Sequence, residues 1–371
     1  MTGREPSTTE REMSPVGREM SGDWVEIDGS QGEGGGQILR TSLALSACLG
    51  QSIRIRDIRA GRPAPGLRPQ HLVAVRAVAQ ICGVDLPDLA VGQTELVFNP
   101  GPIQPGKYVF EIRTAGSTCL VLQTVAIPLA LTGVSSLVEI TGGTHNPKAP
   151  CFEYLQQVWV PFLAKMGIDI EVEMPRAGFY PHGGGILAAR IHGARRDNLR
   201  ALNLLERGKQ KAIKGVAKIA NQPMNIGYRL CKAATWQLSR RGITGVEIET
   251  EVIEAYDQAG LCFLKVDFAN TQAAFFGISG KAKSPEGASS DAAAGLADFL
   301  DETTSGGGAT DPYAADQIML PLALVPGISR FTTSRITEHC LTNAAVIRQI
   351  TGRSVTVDGQ VGQPGTVTIG S

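Results

Sequence analysis

The chain has 371 residues, with 35 Lys plus Arg against 35 Asp plus Glu and therefore no net charge at pH 7. That balance excludes a polyanion binder working through a diffuse basic field, so any nucleic-acid contact must be local. With 43 % apolar and 19 % charged residues the composition is that of a globular chain with ample core, and no run of about 18 apolar residues offers a membrane span.

Residues 1–22 are polar, mixed in charge and without the apolar stretch of a signal peptide; they read as a disordered tail. Residues 24–28 read as a strand, 29–36 as a glycine-rich loop, and 37–49 as a helix from the spacing of their apolar residues. A second helix is predicted over 68–82, with His71, Val75, Val78 and Cys82 on one stripe. A third runs from Tyr154 to Met166, with Val158 and Phe162 on the same face. The chain ends in two strand-like runs, 354–357 and 366–369, with Asp358-Gly359 as a turn between them. Seven cysteines, odd in number and with no C-x-x-C pair, fit reduced thiols in a cytoplasmic protein.

A short echo recurs. Gln37, Gln123 and Gln317 each stand four or five residues ahead of a Ser/Pro-Leu-Ala-Leu run, at intervals of about 86 and 193 residues, which fits a repeat of about 80 to 90 residues interrupted before its third copy. Coincidence between Ala/Leu-rich helices is the competing explanation of so short a pattern. Composition places the interruption between 203 and 306. It holds a basic stretch (Arg207, Lys209, Lys211, Lys214, Lys218), a helix over 226–241, strands near 245–253 and 261–268, and a helix over 289–300. Thr303 to Gly308 then reads as a flexible linker.

Five segments carry residues suited to chemistry. Asp28 to Gln37 puts glycines between a strand and a helix start, where main-chain N–H groups can face an anion. It has neither the Gly-Lys-[Ser/Thr] of a P-loop nor a clean G-x-G-x-x-G, and a tight strand-to-helix connection explains it equally well. Arg59 to His71 sets Arg59, Arg62 and Arg68 in a loop stiffened by Pro and Gly, with Arg40 one turn inside the preceding helix. Guanidinium groups stay charged and bind phosphate oxygens in pairs. Thr141 to Pro150 and Tyr180-Pro181-His182-Gly-Gly-Gly are turn-rich segments that can admit a ligand to backbone or serve only as connectors. In the fifth segment, Thr337 as a helix cap places His339 in the first helical turn, where the positive end of the dipole favours the neutral, nucleophilic imidazole. A structural or exposed histidine is the common alternative. His145, His182 and His192 have no Cys or His partners at metal spacing, which argues against zinc.

In this order the five segments resemble the RNA 3′-terminal phosphate cyclase family over nearly all of residues 24–371. The resemblance implies an α+β fold: a large domain of three repeated units, each a four-stranded sheet with two helices, over 23–202 and 307–371, with a smaller α+β insert domain at 203–306. It implies ATP-dependent conversion of an RNA 3′-phosphate to a 2′,3′-cyclic phosphate, through a histidyl–AMP enzyme and an RNA(3′)pp(5′)A intermediate. His339 matches the nucleophile, in an Arg-x-Thr-x-His-x-x-Thr-Asn setting. Arg40, Arg59, Arg62 and Gln70 match phosphate-binding positions, and Glu33 an active-site carboxylate suited to organising either a divalent cation, Mg²⁺ or Mn²⁺, or the phosphates. Gln123 matches the nucleotide site, and Pro150, Tyr154, Tyr313 and Asp316 the hold on adenine and ribose; His71 and Gln317 match further pocket positions. The implied partners are RNA 3′-phosphate ends and ATP, with no membrane and with a homodimer as an option.

One branch of the family lacks the histidine and serves ribosome assembly, so His339 favours the catalytic branch over a non-catalytic RNA-processing factor on the same fold. Enolpyruvyl transferases assemble related repeats, but no substrate motif for that chemistry is recognisable. His182 in the Gly-rich segment and the 22-residue tail are this chain's departures from the pattern. Neutral overall charge beside a local arginine cluster predicts binding that depends strongly on the terminal phosphate and only modestly on RNA length or salt.

Overall fold

A computed structural model describes residues 24–32, 35–86, 88–281 and 283–370. The predicted tail therefore lies outside the described residues, as does Glu33. The fold is mixed α+β, with the described strands in four small sheets.

The chain opens with β1 (Val25–Asp28), α1 (Gly36–Leu49), β2 (Ile53–Arg56), α2 (Pro69–Ile81) and β3 (Leu96–Phe98). Here β1 and β2 pair in parallel and β3 joins β2 antiparallel. Then come β4 (Lys107–Glu111), α3 (Thr118–Ala130), β5 (Ser136–Gly142) and α4 (Phe152–Tyr154). A π turn at Leu155–Trp159 leads into α5 (Val160–Lys165), followed by β6 (Ile170–Arg176) and β7 (Gly185–Ile191). This second sheet runs β4-β5-β7-β6, again with one parallel pair, β4 and β5.

After β8 (Asn203–Leu204) come β9 (Gln210–Ala220), α6 (Met224–Ser239), β10 (Glu247–Val252), β11 (Ala259–Phe268), β12 (Gln272–Ser279), α7 (Pro285–Leu300) and α8 (Glu302–Ser305). The third sheet is ordered β10-β9-β11-β12. Last come α9 (Pro312–Gln317), α10 (Met319–Leu324), β13 (Ser329–Thr333), α11 (Glu338–Thr351), β14 (Ser354–Asp358) and β15 (Gly365–Gly370). The fourth sheet runs β14-β15-β13-β8, with β8 and β13 parallel.

The first sheet has three strands among the described residues, where the family resemblance implied four. Asn203 and Leu204, at the expected start of the insert, pair with β13 of the fourth sheet.

Local chemistry explains the element ends that position the site. Ser117 accepts from the Leu120 N–H and Thr337 from the Cys340 N–H, each satisfying a donor the first turn leaves over. Gly50 and Gly352 close α1 and α11 in the left-handed region. Pro161 has no N–H to give, and just before it the Val160 N–H reaches back five residues to Leu155 O; the single regular helix expected over 154–166 is thus widened by a π turn. The connection between β14 and β15 runs from Gly359 to Pro364, longer than the expected two-residue turn. It folds onto Ile336, which exchanges backbone hydrogen bonds with Gln363 (2.7 Å) and Gly362 (2.9 Å) just ahead of His339.

One large apolar core lies under α1, α2, α3, α11 and the first, second and fourth sheets. Residues 213–300 have a second core, built where α6 and α7 cover one face of the third sheet. The sheet's other face is apolar too. Leu261, Phe263 and Ala274 belong to the large core, which is why β11 reads as a nearly continuous buried run.

A buried ion cluster crosses the same junction. Glu153 of α4 pairs with His145 (2.9 Å) and with Lys218 of β9 (3.2 Å), and Lys218 also pairs with Glu251 of β10 (3.1 Å). The Thr303 to Gly308 run is no slack linker: Asp301 caps α8, and Arg207 donates to Gly308 O (2.7 Å) and to Ser305 Oγ (2.9 Å). Its polar composition hid partners that lie nearly a hundred residues away. All seven cysteines are free, six of them buried. Among the described residues no helix is long and apolar enough to cross a membrane.

Candidate active site

A cavity of about 940 Å³ lies where α1, α2, α3, α9 and the start of α11 meet the β12 and α7 side of the third sheet. Its size suits a nucleotide. It is lined by Arg40, Arg59, Arg62, Gln70, His71, Gln123, Pro150, Tyr154, Tyr313, Asp316, Gln317 and His339, so every described site residue expected from the sequence reaches one cavity.

One end is built for anions. The first turn of α1 presents backbone N–H groups without intrahelical partners at the positive end of the dipole. The two glycines there make room for side chains. A Cβ on Gly36 would collide with the His71 ring and stand 2.8 Å from Arg40 Nη1, while one on Gly35 would lie 3.5 Å from Arg62 Nη2 and 4.0 Å from His339 Cε1.

Arg59, itself in the left-handed region at φ +57°, braces its own loop by donating to Ala64 O (2.6 Å) and Gly66 O (2.9 Å). Burial, then the neighbouring Arg68 and Arg62, lower the Arg59 pKa. Burial brings Arg40 down to about 10, with Asp316 opposing, so it stays a cation at neutral pH. His71 is the counterpoint. Burial, then Arg40, Arg59 and Arg68, push it down to about 3, so its ring is neutral. Its Nδ1 accepts from the Arg68 N–H (3.1 Å), which puts the proton on Nε2, the nitrogen that faces Gly36 and Arg40.

His339 lies in the first turn of α11, as its Thr337 cap requires. Its Nδ1 meets Gln37 Oε1. The Gln37 amide is oriented by its Nε2 contacts, donating to His339 O (3.3 Å), which can only accept, and to Asp316 Oδ2 (2.8 Å) in its ionised form. Gln37 Oε1 is then the acceptor for a proton on His339 Nδ1, the tautomer in which the imidazole lone pair is on Nε2. A further layer holds the support still: Asn343 Nδ2 donates to Asp316 O (2.8 Å), and Thr41 Oγ1 donates to Asn343 Oδ1 (2.8 Å). Burial raises the Asp316 carboxyl to about 7.

The other end is aromatic and amide-lined. Gln123 donates to Gln317 Oε1 (2.7 Å), joining α3 to α9. Tyr154 is almost fully buried behind the wall, donating its hydroxyl to Asp311 Oδ1 (2.7 Å) and meeting the Tyr313 ring edge-on at 6.3 Å. Asp311 Oδ1 also caps α9, and burial raises that carboxyl to about 6. Tyr313 is half exposed. Tyr154 thus positions Tyr313, and Asp316 is engaged by Gln37; neither is simply open to a base or a ribose.

Sequence reading missed Gln37 as a functional side chain, and it missed Trp159, Lys148, Phe275, Phe276 and Asp291, all of which line the cavity. Gln37 had a signal, since it heads the first of three echoed patterns whose other leading glutamines, Gln123 and Gln317, are expected pocket residues. Phe275, Phe276 and Asp291 come from the inserted segment, and only its docking brings them here. Glu33, the expected metal ligand, lies outside the described residues, among which no group of three or more His, Cys, Asp or Glu side chains converges.

A family profile described as RNA 3′-terminal phosphate cyclase matches residues 31–357. The RNA 3′-terminal phosphate cyclase of Methylococcus capsulatus is 41 % identical over 330 residues, 87 % of this chain and 90 % of the relative. Those of Thermococcus kodakarensis and Nostoc punctiforme are 39 % and 38 % identical, over 94 % and 88 % of this chain and 98 % and 93 % of theirs. With a profile spanning most of the sequence and relatives matched nearly end to end, the chain belongs to the RNA 3′-terminal phosphate cyclase family.

Proposed function

We propose that the protein converts an RNA 3′-terminal phosphate to a 2′,3′-cyclic phosphate using ATP, with His339 as the nucleophile. The observation that carries this reading is His339, held by Gln37 with its lone pair on Nε2, beside Arg40, Arg62 and the neutral His71 at the N-terminus of α1.

A phosphate monoester has no adequate leaving group, so it must first be activated. His339 Nε2 attacks the α-phosphorus of ATP; the P–N bond forms, the bond to the bridging oxygen breaks, and pyrophosphate leaves. The Nδ1 proton stays on the ring, and the Gln37 oxygen that accepts its hydrogen bond offsets the positive charge the ring acquires. An RNA 3′-phosphate oxygen then attacks the same phosphorus, and the imidazole departs. Finally the ribose 2′-OH attacks the 3′-phosphorus, loses its proton and expels AMP. Arg40, Arg59 and Arg62 offset the charge that develops on phosphoryl oxygens, and the His71 Nε2–H adds a neutral donor.

The Tyr313 ring with Pro150 suits a stacked base, and the Gln123–Gln317 pair suits its polar edge. Glu33, which lies outside the described residues, would supply a carboxylate for a divalent cation such as Mg²⁺, with nucleotide phosphates as its other ligands; the cation would neutralise phosphate charge. The domain division at 203–306 and the threefold repeat belong to the same reading. They are supported by the second core within residues 213–300 and by the parallel pairs in the first, second and fourth sheets, a feature that the third sheet shares through β9 and β10. Seven unpaired thiols fit a cytoplasmic setting.

The test is a 3′-phosphorylated RNA incubated with the protein, ATP and Mg²⁺. The expected product end resists phosphatase, forms only with ATP, and fails to form when the terminal ribose lacks its 2′-OH. An RNA end that stays phosphatase-sensitive under all conditions overturns the proposal.

A further inference from the structure

The Tyr180-Pro181-His182-Gly-Gly-Gly segment takes no part in the chemistry above, yet the fold fixes it beside the cavity mouth. Gly116 touches the rim residue Gln70, since a Cβ there would stand 2.9 Å from Gln70 Cβ. The adjoining Ala115 accepts at its carbonyl from Asn146 Nδ2 (2.5 Å), next to the rim residues Pro147 and Lys148. Ala115 in turn abuts the glycine segment: a Cβ on Gly183 would lie 2.8 Å from Ala115 Cα. Gly183 and Gly184 both have positive φ, and Gly184 lies against the ring of Tyr256. A short path of contacts therefore joins Gln70 to Gly183 and, through Gly184, to Tyr256, with Tyr180 three residues ahead of Gly183 in the same segment.

These two tyrosines, 71 % and 63 % exposed, are the most exposed Phe, Tyr or Trp residues among the described residues. Rings so exposed add little to the core, and their loops are nevertheless held firmly. Gly183 N–H donates to Phe179 O (2.7 Å), and Arg176 Nε donates to Gly184 O (2.8 Å) while its guanidinium lies 4.4 Å from the Tyr256 ring centroid. Asp257, beside Tyr256, accepts from the His182 N–H (3.1 Å) and pairs with its Nδ1 (2.7 Å). Asn221 fixes the other side of that loop by donating to Ala255 O (2.7 Å). Exposed rings on a braced frame are what unpaired bases stack on, because every base offers a π face and a preorganised ring loses little freedom on binding. The charged groups nearby are engaged: Arg176 with Gly184 O and the Tyr256 ring, His182 with Asp257, and Arg113 with Glu111 (3.4 Å). Stacking, and not a basic field, is the attraction this surface offers, consistent with a chain of zero net charge.

We infer that Tyr180 and Tyr256 form a stacking platform for the single-stranded RNA immediately upstream of the terminal phosphate. The inference rests on the proposed cyclase reading and deepens it. It also sharpens the length dependence expected from sequence: a gain over the first few nucleotides, little thereafter, and little sensitivity to salt.

The experiment compares 3′-phosphorylated oligoribonucleotides of two and ten nucleotides. In the Tyr180→Ala/Tyr256→Ala variant, KM for the decamer rises at least tenfold while the dinucleotide KM and enzyme adenylation by ATP stay as in the unaltered protein. The Tyr180→Phe/Tyr256→Phe variant keeps the low KM, because stacking needs the ring and not the hydroxyl. Trp236→Ala removes another exposed aromatic, on α6, which contributes nothing to the cavity, and changes neither. A decamer KM unmoved by the double Ala change overturns the platform, as does an equal loss in the Phe pair. Decamer affinity measured without ATP separates the two readings. If no AMP is transferred, the cyclase proposal has failed, and a tenfold loss of affinity in the Ala pair still supports the platform while no loss overturns it.

Discussion

His145 and His339 lie in the same part of the protein, and each gives a ring nitrogen to a neighbouring side chain, yet the two neighbourhoods make opposite uses of the ring. His145 has both nitrogens engaged, Nδ1 with Thr144 Oγ1 (2.8 Å) and Nε2 with the Glu153 carboxylate (2.9 Å), and it stacks on Phe179 at 4.6 Å. It is wholly buried, and the pair extends through Lys218 into the third sheet, so its work is to hold two cores together. His339 meets a neutral amide through Nδ1, and its ring lines the cavity. A carboxylate partner with a second hydrogen bond makes a histidine part of the frame; an amide partner fixes the tautomer without adding charge beside incoming phosphates. The type of partner, more than burial alone, separates the structural ring from the one proposed as the nucleophile.

Removing charge from the first neighbourhood gives the largest expected effect. Glu153→Gln leaves Lys218 buried without its main partner and destabilises the fold by roughly 3–5 kcal/mol, read by chemical denaturation at pH 7. Burial alone would raise the Glu153 carboxyl, but His145 and then Lys218 outweigh it and hold it at about 2. A carboxyl depressed in the folded state stabilises above its unfolded value, about 4.5, and that contribution disappears as pH falls towards 2. The acid limb of stability should therefore flatten in Glu153→Gln. An unchanged limb would mean that the cluster is not coupled to folding.

Making the second neighbourhood resemble the first is the next test. Gln37→Glu gives His339 a carboxylate partner beside Asp316 and the phosphate site; enzyme adenylation should slow and its pH profile move to the alkaline side, as a raised imidazole pKa requires. Gln37→Met, which removes the acceptor without adding charge, should slow adenylation roughly 10²-fold through loss of the tautomer and orientation. Equal rates in Gln37→Met and the unaltered protein would remove Gln37 from the mechanism.

Smaller effects probe the two ends of the cavity. Arg62→Ala should raise KM for 3′-phosphorylated RNA about tenfold with enzyme adenylation less affected, since Arg62 is one of several cations at the glycine turn. Phe276→Ala should raise KM for ATP a few-fold, because the ring lines the wall supplied by the third sheet. A larger effect on RNA than on ATP from Phe276→Ala would place the nucleotide elsewhere.

How much of this was legible in the sequence follows from how local each signal is. The α1 and α2 stripes, the Thr337 cap and the Arg59–Arg62 loop are readable because spacing and capping act within a few residues, and they carry the phosphate end of the site. The π turn at Leu155–Trp159 and the bracing of Gly308 by Arg207 were not, because they depend on partners set by packing. Nothing in the run over Gln272–Ser279 tells that Ala274 joins one core while its neighbour Phe275 joins another. The same limit hid Gln37, whose role is fixed by Asp316 and His339, both about 300 residues away in the chain.

The most direct test of the whole account is the site of covalent AMP. Protein incubated with α-labelled ATP, denatured, digested at neutral to alkaline pH to protect an acid-labile P–N bond, and sequenced by mass spectrometry should carry AMP on His339 alone, and His339→Ala should carry none while remaining folded. AMP on any other residue, Lys148 at the cavity rim included, or labelling that survives in His339→Ala, would contradict it.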